Sequence, residues 1–281
     1  MKKNLINTGG TLLDLSTPAV MGILNVTPDS FYDGGAFDQE KTAVDQVGKM
    51  LSEGASIIDI GAQSTRPGSQ HLDAETEWKR LEVILGNLRK EFPNALFSID
   101  TFHSSVAERA VGEGCSIVND ISGGTMDPLM FPTMVRLNVP YILMHIQGTP
   151  QTMQQQPHYE NVVAEVHQFL QTKIQELKNL GLKDVIIDPG FGFGKTLEQN
   201  YQLLNGLSSL NSLDVPVLVG VSRKSMINKV LSCSASEALN GTTVLNTLAL
   251  LGGASILRVH DVKEAVEAIK LVGAFKSVGE N

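Results

Sequence analysis

The amino-acid sequence predicts an α/β fold, a (β/α)8 barrel of the TIM type with a short N-terminal β-hairpin. Three observations predict it. Eight short runs rich in Val, Ile and Leu recur along the 281 residues, and near-continuous apolar runs suit strands buried on both faces, as in a parallel sheet. Segments of helical periodicity lie between the runs. The strand starts recur on average about every 34 residues, near the ~30 residues of a β–α–β module. An open, doubly wound sheet would give the same periodicity, because spacing does not show whether a sheet closes.

Taken in order, residues 5–8 and 12–15 flank Gly9-Gly10 and read as a hairpin with a Gly-Gly turn, placed to cap the barrel bottom. The strands are expected at 20–24, 56–60, 96–99, 116–118, 141–144, 185–187, 217–221 and 256–259. After the first two strands come longer loops, 25–35 and 61–68. Ala43, Val44, Val47, Met50 and Leu51 share a helix face that Gly54 ends. A second helix face carries Val162, Val163, Val166, Phe169, Leu170, Ile174, Leu177 and Leu180 and stops at Gly181. Ser105 and Asp261 each stand three residues before Glu or a helical run and read as N-caps. The last helix buries Val262, Ala265, Val266, Ile269 and Val272. No linker or charge block divides the chain, so residues 1–18 are a hairpin extension and 19–281 a single barrel domain.

Composition narrows the function. A hydrophobic share of 42% supports a large core, and a net charge of −8 with 5% aromatics argues against a nucleic-acid partner, which needs a basic footprint. Cys115 and Cys233 are far apart and form no CxxC pair, so neither a disulfide framework nor a zinc site is expected. Lys2 and Lys3 are followed by no apolar stretch typical of a signal peptide, and no run approaches ~18 apolar residues. A cytoplasmic protein without membrane contact is expected.

In such barrels chemistry sits where strands meet the βα loops. Polar residues follow nearly every apolar run: Asn25, Asp59, Asp100, Asn119 with Asp120, His145, Asp188, Ser222 with Lys224, and Arg258 with His260. Any single Asp or Asn also suits a plain strand end or helix cap. Cations at helix starts are harder to explain that way, since the helix dipole disfavours them. An anion bound at strands 7 and 8 explains Lys224, Arg258 and His260 better. Arg223 and Lys224 are adjacent, so one of them points inward, and the spacing leaves open which. Asp100, Asn119 and Asp188 offer acceptors and an amide suited to a planar, nitrogen-rich heterocycle; a water-filled polar network is the plainer reading.

The run Asp188-Pro189-Gly190-Phe191-Gly192-Phe193-Gly194-Lys195 fits neither GxxxxGK[ST] nor GxGxxG, and reads as a tight turn with Phe193 lining the pocket. Asn25, Asp29 and Asp33 supply oxygen ligands typical of Mg²⁺ shared with a phosphate. No Ser-His-Asp order or His-rich metal cluster is evident.

Eight short motifs, in register with the eight strands, resemble those of dihydropteroate synthases over almost the whole chain. They are residues 21–31, ending Asn25-Val26-Thr27-Pro28-Asp29-Ser30-Phe31; Ser64-Thr65-Arg66-Pro67-Gly68; Ser98-Ile99-Asp100-Thr101; Asn119-Asp120-Ile121-Ser122-Gly123-Gly124; Met144-His145-Ile146-Gln147-Gly148; Asp188-Pro189-Gly190-Phe191-Gly192-Phe193; Ser222-Arg223-Lys224-Ser225; and Arg258-Val259-His260-Asp261.

The resemblance implies a homodimeric TIM barrel of folate biosynthesis that joins 6-hydroxymethyl-7,8-dihydropterin pyrophosphate to p-aminobenzoate, and that sulfonamides target. It implies pterin contacts at Asp100, Asn119, Asp188, Lys224, Met144, Phe193 and Arg258, with Asp100, Asp188 and Lys224 catalytic. Pyrophosphate contacts fall on Asn25, Thr65, Arg66, Arg258 and His260, and Mg²⁺ on Asn25. Phe31, Thr65, Pro67, Lys224 and Ser225 would surround p-aminobenzoate, and the adjacent-cation question resolves toward Lys224. One departure is visible: Ala62-Gln63 stands where the family commonly has Gly-Glu, which could alter how the second loop is anchored. A pterin-dependent methyltransferase would have no use for the Arg258–His260 anion site, and a non-catalytic pterin-binding module would usually lack Asn25 or Lys224.

Overall fold

A computed structural model describes residues 4–26, 36–63, 72–153 and 157–278. The hairpin forms as expected: β1 (Leu5–Asn7) and β2 (Leu12–Asp14) pair antiparallel around Gly9 and Gly10, both at positive φ. Then β3 (Ala19–Asn25), β4 (Ile57–Gly61), β5 (Phe97–Asp100), β6 (Ile117–Asp120), β7 (Tyr141–Met144), β8 (Val185–Asp188), β9 (Leu218–Val219) and β10 (Ile256–Val259) form one parallel sheet. It runs β8-β7-β6-β5-β4-β3-β10-β9, and a parallel bridge between Ile187 and Val217 brings its ends together. The chain is thus a nearly closed (β/α)8 barrel, not an open sheet.

The alternation of strand side chains builds the interior in layers. Met21, Ile57, Ile117, Ile142, Ile186, Leu218 and Ile256 form one buried apolar cluster, and Ile6 and Leu15 of the hairpin region join it. The hairpin therefore plugs the N-terminal end of the barrel. Two residues further along the same strands stand Asp59, Asn119, Met144, Asp188 and Arg258. The intervening residues, among them Ile58, Val118, Leu143, Ile187 and Leu257, face outward into the larger core shared with the helices.

The surrounding helices are α1 (Ala36–Ser52), α2 (Ala74–Glu91), α3 (Ser104–Gly112), α4 (Met130–Leu137), α5 (Val162–Asn179), α6 (Leu197–Asn205), α7 (Ser225–Leu231), α8 (Leu239–Leu251) and α9 (Val262–Ser277). Gly54 and Gly181 sit just past α1 and α5 with φ of +104° and +100°, the left-handed ends their sequences signal. Two expected caps differ. Ser105 lies inside α3, whose first N–H, that of Ser104, is taken by the Asp127 carboxylate at 2.7 Å. Asp261 does occupy the N-cap of α9, but its carboxylate binds the Arg223 guanidinium instead of the helix. In α9 the buried residues are Val262, Ala265, Ala268, Ile269 and Val272, with Val266 half-buried. No helix among the described residues is long and apolar enough to cross a membrane.

Candidate active site

Strand parity decides which polar residues reach the barrel mouth. Asn119 follows inward-facing Ile117 and donates its amide to Asp59 Oδ2 at 2.8 Å. Asp120, one residue on, points outward, where its carboxylate accepts from Tyr141 Oη at 2.6 Å and from the Ser122 and Gly124 amides. Met144 faces inward, within an apolar cluster that also holds Phe102, Ile121 and Ile146, with Phe193 packed against it. His145 therefore faces α5, edge-on to Phe169 at 4.9 Å between centroids. Its ring accepts from Lys195 Nζ at 3.0 Å, and burial, with the Lys195 charge next, holds it far below the ordinary histidine range.

The centre of the mouth is an ion-pair network. Arg258 donates from Nε to Asp59 Oδ2 and from Nη2 to Asp100 Oδ2, both at 2.7 Å. Among the described residues two of five guanidinium hydrogens are thereby engaged, which leaves three to face a ligand. Burial alone would lower the Arg258 pKa, but the Asp59 and Asp100 carboxylates hold it above its ordinary value. Asp100 is pushed up to about 7, first by desolvation, against which the Arg258 charge acts. Asp59 was legible as a strand-end residue, yet neither its burial nor its bond to Arg258, 199 residues away, had a local signal.

Asp188 and Lys224 form a second pair of groups nearby. Asp188 accepts from the Gly190 amide at 2.7 Å, and burial raises its pKa against the pull of Lys224. Lys224 donates to the Phe191 carbonyl and stands 4.7 Å from the Phe193 ring centroid, a cation–π contact. Desolvation brings its ammonium down to about 8, with Asp188 opposing. The turn 190–195 is built tightly: a Cβ on Gly190, at φ +71°, would lie 1.9 Å from the His145 carbonyl oxygen. Lys195 seals that turn, donating to the carbonyls of Gly190 and Phe193.

The adjacent cations separate by backbone conformation. Arg223 takes a left-handed φ of +56° and turns its guanidinium to Asp261 and to the carbonyls of Ala235 and Ser236. Lys224, at φ −76°, takes the mouth side. His260, exposed at the rim of β10, bonds Ser222 Oγ through Nδ1 at 3.0 Å. Loss of surrounding solvent, then the Arg258 charge, lowers its pKa, so the imidazole is neutral at pH 7 in the ligand-free site. Ser225 opens α7, exposed, and Asn25 ends β3, exposed beside Gly61 of β4. Phe31, Thr65, Arg66 and Pro67 lie outside the described residues, as do Asp29 and Asp33.

A barrel mouth with three carboxylates, Asp59, Asp100 and Asp188, an amide, an aromatic wall and cations on the last strands has the chemistry of an enzyme site suited to a planar nitrogen heterocycle joined to an anion. Comparison with known proteins agrees. Residues 21–260 match the family model of pterin binding enzymes. The dihydropteroate synthase of Escherichia coli K12 is 42% identical over 274 residues, covering 97% of this chain and 96% of that protein. Two Xanthomonas albilineans dihydropteroate synthase structures superpose closely. One, with 4-aminobenzoic acid, has a TM-score of 0.91 at 38% identity, covering 98% and 99% of the two chains. The other, in complex with 7,8-dihydropteroate, has a TM-score of 0.87 at 36% identity, covering 97% and 98%. The chain belongs to the pterin binding enzymes and, within them, to the dihydropteroate synthases, transferases that place a pterin group on p-aminobenzoate.

Proposed function

We propose that Asp100, Asn119, Asp188 and Lys224 hold the dihydropterin of 6-hydroxymethyl-7,8-dihydropterin pyrophosphate, and that Arg258 and His260 hold its pyrophosphate. The observation that carries this is the Asp59–Arg258–Asp100 bridge. It sets a guanidinium, three of whose hydrogens meet no acceptor among the described residues, between the heterocycle floor and the rim. Met144 and Phe193 supply an apolar wall against which a flat ring stacks. Ser225, with Phe31, Thr65 and Pro67 of the two long loops, surrounds p-aminobenzoate.

The substitution is dissociative. The bond between the pterin methylene carbon and the bridging oxygen breaks, and its electron pair leaves with pyrophosphate, whose charge Arg258 stabilises. The cation left on the pterin is spread beside the Asp100 and Asp188 carboxylates. The neutral amine of p-aminobenzoate then attacks that carbon, and the ammonium proton is lost to solvent or to the departing pyrophosphate. No strong general base is required, in keeping with a His145 that faces away from the mouth. Asn25 offers one exposed neutral oxygen at the end of β3. Such a donor fits Mg²⁺, which keeps several waters and is bound through few protein ligands together with substrate phosphates. Bound there, the ion would supply positive charge to the pyrophosphate.

Two further assignments rest on the same reading. Exposed Leu248, Leu251, Leu271 and Phe275 give α8 and α9 an apolar outer face, which a second copy of the chain would cover in a homodimer. Free Cys115 and Cys233 accord with the reducing cytoplasm.

The reaction is tested by mixing purified protein with the two substrates and following both products. Equal amounts of 7,8-dihydropteroate and pyrophosphate, formed only when both substrates are present, are expected. Pyrophosphate released at the same rate without p-aminobenzoate would refute the assignment.

A further inference from the structure

The turn that follows β8 is held from behind by a lysine that does not take part in the proposed chemistry. Lys195 stands one residue before Thr196, the N-cap of α6, and is 3% exposed. An ammonium is costly in that place, because it is desolvated and because the helix dipole disfavours a cation at that end. Among the described residues no carboxylate hydrogen-bonds it. Its Nζ donates instead to three neutral acceptors, the Gly190 carbonyl at 2.8 Å, the Phe193 carbonyl at 3.0 Å and His145 Nδ1 at 3.0 Å. These bonds use all three ammonium hydrogens.

The turn needs such a fastener. Gly190, Gly192 and Gly194 all take positive φ, a conformation open to glycine but with wide freedom to lose. Asn200 Oδ1 accepts from the Gly192 N–H at 2.7 Å and Tyr159 Oη donates to the Gly194 carbonyl at 2.8 Å, while Lys195 ties the two halves together at Gly190 and Phe193. The other side of the turn serves the pocket. Its Gly190 N–H bonds Asp188, its Phe191 carbonyl receives Lys224 Nζ, and its Phe193 ring faces that same ammonium.

His145 completes the arrangement. Burial, then the Lys195 charge, keeps its ring neutral, so while Nδ1 accepts from Lys195 the ring hydrogen stands on Nε2. Desolvation brings the Lys195 pKa down to about 7, with Asp188 attracting its charge and Lys224 repelling it; Tyr159 is the other titratable ring at the His145 side. When Nζ gives a proton to water, its lone pair can accept from Nδ1–H, the ring hydrogen having moved from Nε2 to Nδ1 by exchange with solvent. The contact survives in either state, and its direction reverses.

We propose that Lys195 is a positioning residue for the dihydropterin: tied to His145 behind the pocket, it holds the Gly190 and Phe193 carbonyls and so sets where the Phe193 ring and the Phe191 carbonyl, with Lys224 on it, meet the heterocycle. This rests on the assignment of Asp188, Phe193 and Lys224 to the dihydropterin.

The test uses Lys195→Met, which keeps length without donors, and the matched pair His145→Asn and His145→Leu. Asn offers an acceptor in place of Nδ1, and Leu has a similar shape with none. Calorimetry follows two probes, 6-hydroxymethyl-7,8-dihydropterin and inorganic pyrophosphate. Lys195→Met and His145→Leu should bind the dihydropterin at least about tenfold more weakly than wild type, and pyrophosphate within about twofold. His145→Asn should restore dihydropterin binding to within about threefold of wild type. Dihydropterin affinity unchanged in Lys195→Met, equal loss of both ligands, or His145→Asn as weak as His145→Leu overturns the proposal. Should Lys195→Met fail to fold, the His145 pair decides by the same outcomes. Nitrogen-15 spectra of the wild-type His145 ring read the tie without any ligand. The ring should be neutral with its hydrogen on Nε2 at about pH 6, passing to Nδ1 as pH rises through about 7. A ring already cationic at about pH 6 leaves Nδ1 no lone pair to accept with, and also overturns it. A wild-type chain that shows this exchange but binds no dihydropterin would refute the pterin assignment, and the role toward that ligand with it, while the tie between Lys195 and His145 stands.

Discussion

Replacing Arg258 with Leu removes the positive charge between two carboxylates and so probes the centre of the site. The side chains of Asp59 and Asp100 are 0% and 13% exposed, and each loses a 2.7 Å charged hydrogen bond. Breaking a buried ion pair by deleting one partner costs about 3–5 kcal/mol. At ~2–4 °C per kcal/mol for a domain of this size, the melting temperature should fall by about 6–20 °C. The loss must depend on pH. Asp100 already titrates near 7 in the folded chain, above the ordinary carboxylate, so stability linked to its proton is present at low pH and fades as pH rises through 7. Without the guanidinium, the largest influence lowering that pKa is gone, and the fading moves to higher pH. Thermal unfolding by circular dichroism between about pH 6 and 8.5 should show a variant that loses stability more steeply than wild type above neutrality. A melting temperature within about 2 °C of wild type, with parallel pH slopes, would refute the compensating role of Arg258.

Further outcomes follow from neighbouring groups. Lys224→Met should weaken dihydropterin binding about 10- to 100-fold, the worth of one charged hydrogen bond, as measured by calorimetry. Because Lys224 loses its proton near 8, wild-type binding should weaken above that pH, and Lys224→Arg should remove that limb of the profile; an unchanged limb assigns the titration elsewhere. Pyrophosphate arriving beside neutral His260 should raise its pKa, so binding takes up a proton and weakens with rising pH. Calorimetry in buffers of differing ionisation enthalpy reads this uptake, which His260→Gln should diminish. Ile6→Ala at the barrel bottom should cost about 2–5 kcal/mol in denaturant unfolding while leaving both KM values unchanged; a change in KM would mean that the plug communicates with the mouth.

The barrel was legible because each strand is a continuous apolar run and the helices between them repeat with a near-constant period. Closure was not, since it rests on the contact of Ile187 with Val217 and not on any local pattern. At the site, alternation along β6 and β7 already separates Asn119 and Met144, which face inward, from Asp120 and His145, which do not; strand parity was the available signal. The long-range partners were beyond reach. Nothing near Asp59 announces Arg258, and nothing near Asp261 announces that Arg223 would draw its carboxylate from the helix end. The left-handed turn at Arg223, which leaves the mouth to Lys224, is likewise a tertiary outcome: backbone strain there is held by bonds to Asp261, Ala235 and Ser236. Gln63, a departure from the family pattern in the sequence, proves to be a buried connector whose partners are 9 and 14 residues away.

The central claim is that Asp100, Asp188 and Arg258 are arranged around a pterin cation, formed before the amine attacks. Deuterium placed on the methylene carbon that carries the pyrophosphate tests it directly. Measured in single turnovers, where product release does not mask the chemical step, the rate with hydrogen should clearly exceed that with deuterium, because the carbon flattens as the bond to oxygen breaks. A ratio at or below unity would mean that amine and leaving group are both bonded in the transition state, and would contradict the account.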